Sequence, residues 1–343
     1  MTAITVGVIG ATGNAGQTVV NGLLSSPIAF TVTSFTRESS VNRWENQRLK
    51  ANGVWIVGYD ISGPHQKLVD QLKNIDVLIS SINCEHLDLQ LPWIKAAKEA
   101  GVKRFIPSEW VGPCPKGVHW IKDHKLEILG AIQRARLPYT VIDVGCWYSV
   151  FAPEVPSGKS DKAHMPYIDH RIVEDGNQKF ALTDIADVGK YFAQIVADPR
   201  TINKHVFAYT EVLSMHEIWD TMAIVTGEGT GEGLRINGWL ILIYVQVSLA
   251  DIHEIIETYR KRLENSPHTM QHPDNIMDCA NYNMGQYRIS WCVRGDNTPE
   301  YAEYLGYLGF WKLFPDFQKG TNLESFFRSI VSGEIDSTND LDQ

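Results

Sequence analysis

No apolar stretch in this 343-residue chain is long enough to cross a bilayer. A spanning helix takes ~20 apolar residues, and the longest run, Trp239 to Val245, is far shorter. Cysteine is sparse. Cys84, Cys114, Cys146, Cys279 and Cys292 stand far apart, with neither the paired spacing of a metal site nor a disulfide framework. Free or buried thiols in a reducing compartment are the expectation. Basic charge is in deficit, with 31 Lys and Arg against 40 Asp and Glu and a net charge of -9, which argues against a general nucleic-acid binder. The chain enters an apolar strand at Ile4, leaving no room for a signal or transit peptide. No internal repeat, metal-ligand spacing or Ser/His/Asp arrangement stands out. A cytoplasmic protein without membrane, nucleic-acid or metal partners is expected.

What the chain does have is a glycine loop at its start. The apolar run Ile4 to Ile9 meets Gly10-Ala11-Thr12-Gly13-Asn14-Ala15-Gly16, and a helix is expected over Gln17 to Leu24. Gly10 suits a backbone closed to other residues, Gly16 a close helix–sheet contact, and the helix N-terminus a pyrophosphate. Gly10, Thr12, Gly13, Asn14, Ala15 and Gly16 are therefore candidate cofactor contacts. A plain strand-to-helix turn is the alternative.

Strand and helix signals then alternate. Strands are expected at 30–35, 54–57, 76–82, 103–106 and 139–144, with helices at 68–72, 91–100 and 121–136 between them. This predicts an α/β fold with a doubly wound parallel sheet and ligands beyond the C-terminal strand ends. From Trp147 prolines and glycines mark irregular chain, and His164 and His170 flank Met165-Pro166-Tyr167 in a stretch able to cover a pocket. A helix is predicted at Thr183 to Ala197, another behind the Ser214–Glu217 capping box, and a third from Thr298-Pro299. The glycine-rich, then apolar, 227–247 stretch interrupts the pattern. It predicts a flexible loop with an added strand or helix, an insertion, or translated intron sequence. The acidic tail 334–343 is expected to be disordered.

Chemistry is expected at the strand ends. Thr36-Arg37 closes the second strand, where an arginine pairs with the 2′-phosphate of NADPH; Glu38 beside it is the feature that points the other way. Asp60 is placed at the adenine edge or in a turn. Ser80, Ser81 and Ile82 line ribose and phosphate, and Pro107, Ser108 and Glu109 flank the nicotinamide position, unless Glu109 caps a loop. On the helix from Ile121, Lys125 shares a face with Ile128, Leu129 and Ile132. A buried ammonium is costly unless paired or shifted in proton affinity, so Lys125 is a functional candidate; a snorkelling lysine is the alternative. No tyrosine stands four residues before it, where a standard short-chain dehydrogenase has one. His119 and His124 are nearby titratable groups.

Together with Gly101-Val102-Lys103-Arg104-Phe105-Ile106-Pro107-Ser108-Glu109-Trp110, Leu137-Pro138-Tyr139-Thr140, Thr183-Asp184-Ile185-Ala186-Asp187-Val188-Gly189 and Leu313-Phe314-Pro315-Asp316-Phe317, these residues resemble the NmrA-like, isoflavone-reductase-like branch of the atypical short-chain dehydrogenases, fungal type. The likeness covers nearly the whole chain apart from 227–247 and the tail. It implies a Rossmann-type domain over 1–150, to which 179–199 returns, and a smaller interleaved substrate lobe over 151–333. It also implies NADPH as cofactor, an aromatic small-molecule substrate and a monomer or homodimer. The family's catalytic lysine precedes the proline of its Pro-Tyr-Thr motif by the same distance as Lys125 precedes Pro138. The resemblance also places Cys146, Trp147 and Tyr148 in the substrate wall, with core packing as the alternative, and Gly145 where plant members often carry asparagine. Two functions follow as expectations. One is an NADPH-dependent reductase of an aromatic or conjugated compound; the other is a non-catalytic dinucleotide sensor of the NmrA type.

Overall fold

The computed structural model describes residues 2–162, 171–228, 232–236, 239–243, 246–270 and 272–334. Strand β1 (Ile4–Ile9) leads through the glycine loop into α1 (Asn14–Ser25), followed by β2 (Phe30–Arg37), α2 (Trp44–Ala51) and β3 (Trp55–Tyr59). Next come α3 (His65–Leu72), β4 (Val77–Ser80), α4 (Gln90–Ala100), β5 (Arg104–Ile106), α5 (Trp120–Arg134) and β6 (Thr140–Asp143). The first five strands pair in parallel in the order β3-β2-β1-β4-β5. A bridge from Phe105 to Tyr139 carries the sheet on to β6.

The second half crosses back and forth. Strand β7 (Cys146–Trp147), β8 (Ile172–Val173) and β9 (Phe180–Thr183) precede α6 (Ile185–Ala197), β10 (Lys204–Phe207), β11 (Glu211–Leu213) and α7 (Met215–Thr226). Then follow β12 (Glu232–Ile236), β13 (Trp239–Ile243), β14 (Gln246–Val247), α8 (Leu249–Glu264) and α9 (Ile276–Cys292). The chain closes with α10 (Pro299–Tyr304), β15 (Leu308–Gly309), α11 (Phe310–Leu313) and α12 (Leu323–Ser332). β10 lies parallel between β6 and β15, while β9 lies between β11 and β7.

Side-chain alternation along the central strands explains the layers. Val6 and Val8 join the core under α1 and α6, whereas Ile9, Phe35, Leu78 and Phe105 join the one under α3, α4 and α5. A parallel sheet covered on both faces needs such apolar strands. A third core packs Phe151, Phe180, Trp219, Val247, Trp291 and Phe327 together. Helix α6 reaches α1 at a glycine pair. A Cβ on Gly22 would lie 2.1 Å from the Gly189 carbonyl carbon, and one on Gly189 would lie 1.8 Å from the Thr18 carbonyl oxygen.

Several boundaries differ from the sequence expectation. Helix α1 starts at Asn14 instead of Gln17, because Gly13 is extended (φ -76°, ψ 163°) and acts as its N-cap. Thr183 belongs to β9, and Asp184 caps α6 by accepting from the Ala186 amide at 3.0 Å. The Ser214–Glu217 capping box and the left-handed cap at Gly101 are present as read. In the 227–247 stretch β12 and β13 pair antiparallel, and β14 pairs with β8. The His164–His170 segment and residues 335–343 of the tail lie outside the described residues.

Candidate active site

The glycine loop is built by backbone-to-backbone approach. Gly10 has φ +78°, and a Cβ there would sit 2.6 Å from the Ser81 carbonyl oxygen; one on Gly16 would sit 2.0 Å from that of Gly10. Gly16 is thus dictated by the loop itself, instead of by the sheet as the sequence suggests. Gly13 differs: a Cβ there would meet nothing nearer than the Gly10 carbonyl oxygen at 3.6 Å. The protein does not need its bareness, so the space above it suits a ligand. Thr12 is pinned through its carbonyl by the Gln17 side chain at 2.8 Å. Asn14 and Ala15 follow in the first turn of α1, which carries no acidic residue to oppose an anion.

At the end of β2 the side chains of Arg37 and Glu38 are engaged differently. Glu38 pairs with Lys67 at 2.5 Å. Arg37 is exposed and makes no side-chain hydrogen bond or ion pair among the described residues. Asn46 braces the turn between them by donating to the Thr36 hydroxyl at 3.2 Å and the Ser40 carbonyl at 2.8 Å. Asp60 is occupied in a turn, accepting from the Ser62 amide at 2.9 Å. Ser80 and Ser81 have buried hydroxyls without a partner among the described residues, whereas the Ile82 carbonyl accepts from the Ser108 hydroxyl at 2.5 Å.

Past β5, Pro107, Ser108 and Glu109 meet α5. Buried Gln90 fixes the segment by accepting from the Ser108 amide at 2.9 Å. The chain then turns at Trp110 with φ 53°, a conformation bulky residues rarely hold, and its ring stacks on Phe192 at 4.9 Å. The carbonyls of Ser108 and Glu109 both accept from the Lys125 ammonium, the former at 2.9 Å. Lys125 is only 6% exposed. Burial lowers its proton affinity; Glu109 opposes that shift and Lys122 adds to it.

The Glu109 side chain goes elsewhere. Its carboxylate bonds Lys122, whose ammonium also reaches Asp143 at 3.3 Å and the Tyr307 hydroxyl at 3.5 Å. Burial alone would raise Glu109, but the Lys122 and Lys125 charges outweigh it and hold the carboxyl below its usual range. Burial pushes Asp143 up to about 7, against the charge of Lys122 and with that of Glu109. Lys122 is held well above the usual lysine value, because Asp143 and Glu109 outweigh the cost of its burial. His119 caps α5, its Nδ1 accepting from the Lys122 amide at 3.1 Å. Burial, then Lys122 and Lys125, depress it to about 3, so it is neutral and Nε2 carries the proton. That Nε2 is buried without a partner among the described residues, and the ring packs on Tyr287 at 4.5 Å. His124 turns outward to Asp88 at 2.9 Å.

Of the expected substrate wall, Cys146 is buried in the third core. The Tyr148 hydroxyl donates to Glu211 at 2.7 Å and to the Thr321 carbonyl at 3.2 Å, so its polar end is used by the fold. Trp147 is half-buried, its indole nitrogen without a partner among the described residues. It borders a cavity of about 460 Å³ with Tyr148, Asn14, Gln17, Asn21 and Asp184. That cavity meets the first turn of α1 at Asn14; Lys125 is not in its wall. Gly145 has φ +74°, and a Cβ there would lie 2.7 Å from the Ala181 carbonyl oxygen.

Lys122, Asp143, Tyr307, Gln90 and Asn46 were not singled out from sequence. A second lysine one turn from Lys125 was the one signal available for Lys122. Among the described residues one group has metal-ligating geometry, the His268, His272 and Asp274 side chains on the turn before α9. They are largely exposed, and Asp274 lies 3.4 Å and 3.6 Å from the two rings.

An NmrA-like family model matches residues 2–273. The asnovolin J 5′,6′-dehydrogenase of Aspergillus novofumigatus is 38% identical over 334 residues, 96% of each chain. A phenylcoumaran benzylic ether reductase of Ginkgo biloba is 30% identical over 232 residues, covering 61% of this chain and 73% of that one. Among solved structures, AtPrR2 with NADP+ and (+)pinoresinol is similar with a TM-score of 0.73 at 23% identity, over 96% of this chain and 99% of that one. The ternary complex of leucoanthocyanidin reductase from Vitis vinifera has a TM-score of 0.71 at 21% identity, over 96% and 99%. These two likenesses establish the Rossmann-type α/β fold.

Proposed function

The chain belongs to the NmrA-like family, and on that premise we propose that it is an NADPH-dependent oxidoreductase acting on a small aromatic or conjugated substrate. The observation that carries this reading is Lys125. It is a buried ammonium with depressed proton affinity, bound to two backbone carbonyls beyond the C-terminal end of β5. A buried lysine of lowered proton affinity at the end of a strand suits proton transfer to a bound ligand. The names of the Aspergillus and Ginkgo relatives, a dehydrogenase and a reductase, support redox chemistry.

The residues fit a dinucleotide. Gly10 and Gly13 bare the amides of α1 to a pyrophosphate, and Gly13 leaves room that the protein does not fill. Arg37, relieved of Glu38 by Lys67, pairs with a 2′-phosphate. Ser80 and Ser81 offer buried hydroxyls to ribose and phosphate oxygens. When bound, the nicotinamide supplies the hydride. Lys125 holds the proton that the substrate takes up and binds the neighbouring ribose.

Titration with NADPH and NADH, followed by nicotinamide fluorescence, tests the cofactor reading, and a panel of conjugated aromatic compounds assayed in both directions tests turnover. NADPH preference with turnover lost in Lys125→Ala supports the enzyme. Binding without turnover of any compound leaves the non-catalytic sensor, and equal binding of the two cofactors removes the role of Arg37.

A further inference from the structure

Two lysines one turn apart are buried beside a single glutamate, and each takes a different part of it. Lys125 receives the Glu109 carbonyl and Lys122 the Glu109 carboxylate. A buried carboxylate must find a cation. Without Lys122, the nearest one is Lys125, on the same face of α5. We infer that Lys122, itself held by Asp143, is a positioning residue that occupies the Glu109 carboxylate and so keeps Lys125 out of an ion pair. The inference rests on Lys125 as the proton-handling group.

The electrostatics follow from this arrangement. An ion pair with Glu109 would lock the Lys125 proton in place and draw its nitrogen from the carbonyls of Ser108 and Glu109. With the Glu109 carboxylate bonded to Lys122, Lys125 faces carbonyl dipoles and the repulsion of Lys122, against which the charge of Glu109 and, less, Cys84 and Asp143 still act. His119 stays neutral beside them and adds no charge. Asp143 completes the device. Lys122 meets two carboxylates, and the proton affinity of Asp143, raised to about 7, lets one negative charge be discharged near neutral pH. Lys122 therefore keeps a partner in either state of Asp143.

The test follows the Lys125 side chain in full-length protein labelled with ¹³C at lysine Cε, its signal assigned by loss in Lys125→Arg. In Lys122→Met the Lys125 titration midpoint is expected to rise by about one pH unit or more, tenfold in proton affinity. kcat should fall by a similar factor while NADPH affinity stays unchanged. Lys122→Arg retains the charge and should leave the midpoint in place. Lys122→Met/Glu109→Gln, which removes both partners, should return it to the wild-type value. A midpoint unmoved in Lys122→Met, or still raised in the double variant, overturns the inference. Should Lys122→Met fail to fold, Lys122→Gln, which keeps a polar group between Glu109 and Asp143 without the charge, is read in its place with the same expected rise and the same overturning result. The titration needs no turnover. If the wild type turns over no substrate yet Lys125 responds as described, the functional proposal fails and the lysine relationship stands.

Discussion

Lys122 and Lys125 divide Glu109 between them, the first binding its carboxylate and the second its backbone carbonyl. Both lysines lie on the buried face of α5 with Ile121, Ile128 and Ile132. The pair places one fully satisfied cation beside one whose proton is held only by carbonyls. On the proposed role of Lys125, its loss is a loss of chemistry. Lys125→Ala should weaken NADPH only by the lost ribose contact, by roughly tenfold or less, and lower kcat by about 10²-fold or more. Stopped-flow turnover beside a fluorescence titration checks this, and equal loss of binding would place Lys125 in cofactor affinity alone.

Arg37 should act on the 2′-phosphate and nothing else. A charge-assisted hydrogen bond contributes about 1.5–3 kcal/mol, so Arg37→Ala should weaken NADPH by roughly 10- to 100-fold and leave NADH unchanged. Lys67→Met frees Glu38 to oppose the phosphate and should erode the same preference by a smaller factor. Calorimetric titration of the two cofactors reads both variants.

The glycines separate folding from binding. Gly13→Ala should cost about 1 kcal/mol or less, the difference between glycine and alanine as the N-cap of α1, while weakening NADPH, because its Cβ enters the open space proposed for the ligand. Gly189→Ala and Gly22→Ala should each lower the melting temperature, since the new methyl collides with backbone, and overpacking costs about 1–3 kcal/mol or more. Thermal unfolding with and without NADPH distinguishes the classes.

Acid should destabilise the protein through His119. Burial lowers its folded pKa to about 3, below the 6.5 usual for histidine. Between those limits the unfolded chain binds the extra proton, so stability is complete above pH 6.5 and falls as pH drops toward 3. Asp143 acts oppositely: with a folded value of about 7 against 3.8, the stability it brings at low pH is lost as pH rises through 7. His119→Asn retains an N-cap acceptor without titrating. Urea unfolding from pH 4 to 6 should show a slope reduced by about one proton, ~1.4 kcal/mol per pH unit. An unchanged slope would mean that His119 is already charged.

Much of the site was legible because it is local. The glycine loop follows a strand, Arg37 ends the next one, and Lys125 interrupts an apolar stripe whose period is visible in sequence. Lys122 stands in the same helix but beside Trp120 and Asp123, where a lysine reads as solvated. Its partners are at the far ends of other elements, Glu109 after β5 and Asp143 at the end of β6. Tyr148 borders the cavity, yet nothing in the sequence shows that Glu211 takes its hydroxyl. Helix α9 gave no clear signal, because it buries Asn283, Arg288 and Ser290 alongside Tyr287 and Trp291.

Sequence by itself determined the alternation of strands and helices, the place of the glycine loop and the presence of one lysine in an apolar stripe. Those follow from backbone freedom and from the spacing of apolar residues, which neighbours in the chain decide. Tertiary structure alone decided how charges are paired. Parallel strand order brings β5 and β6 side by side through Phe105 and Tyr139, and so delivers Glu109 and Asp143 to one ammonium. A buried charge takes its partner from whatever the fold places within reach, and that reach is set by the sheet.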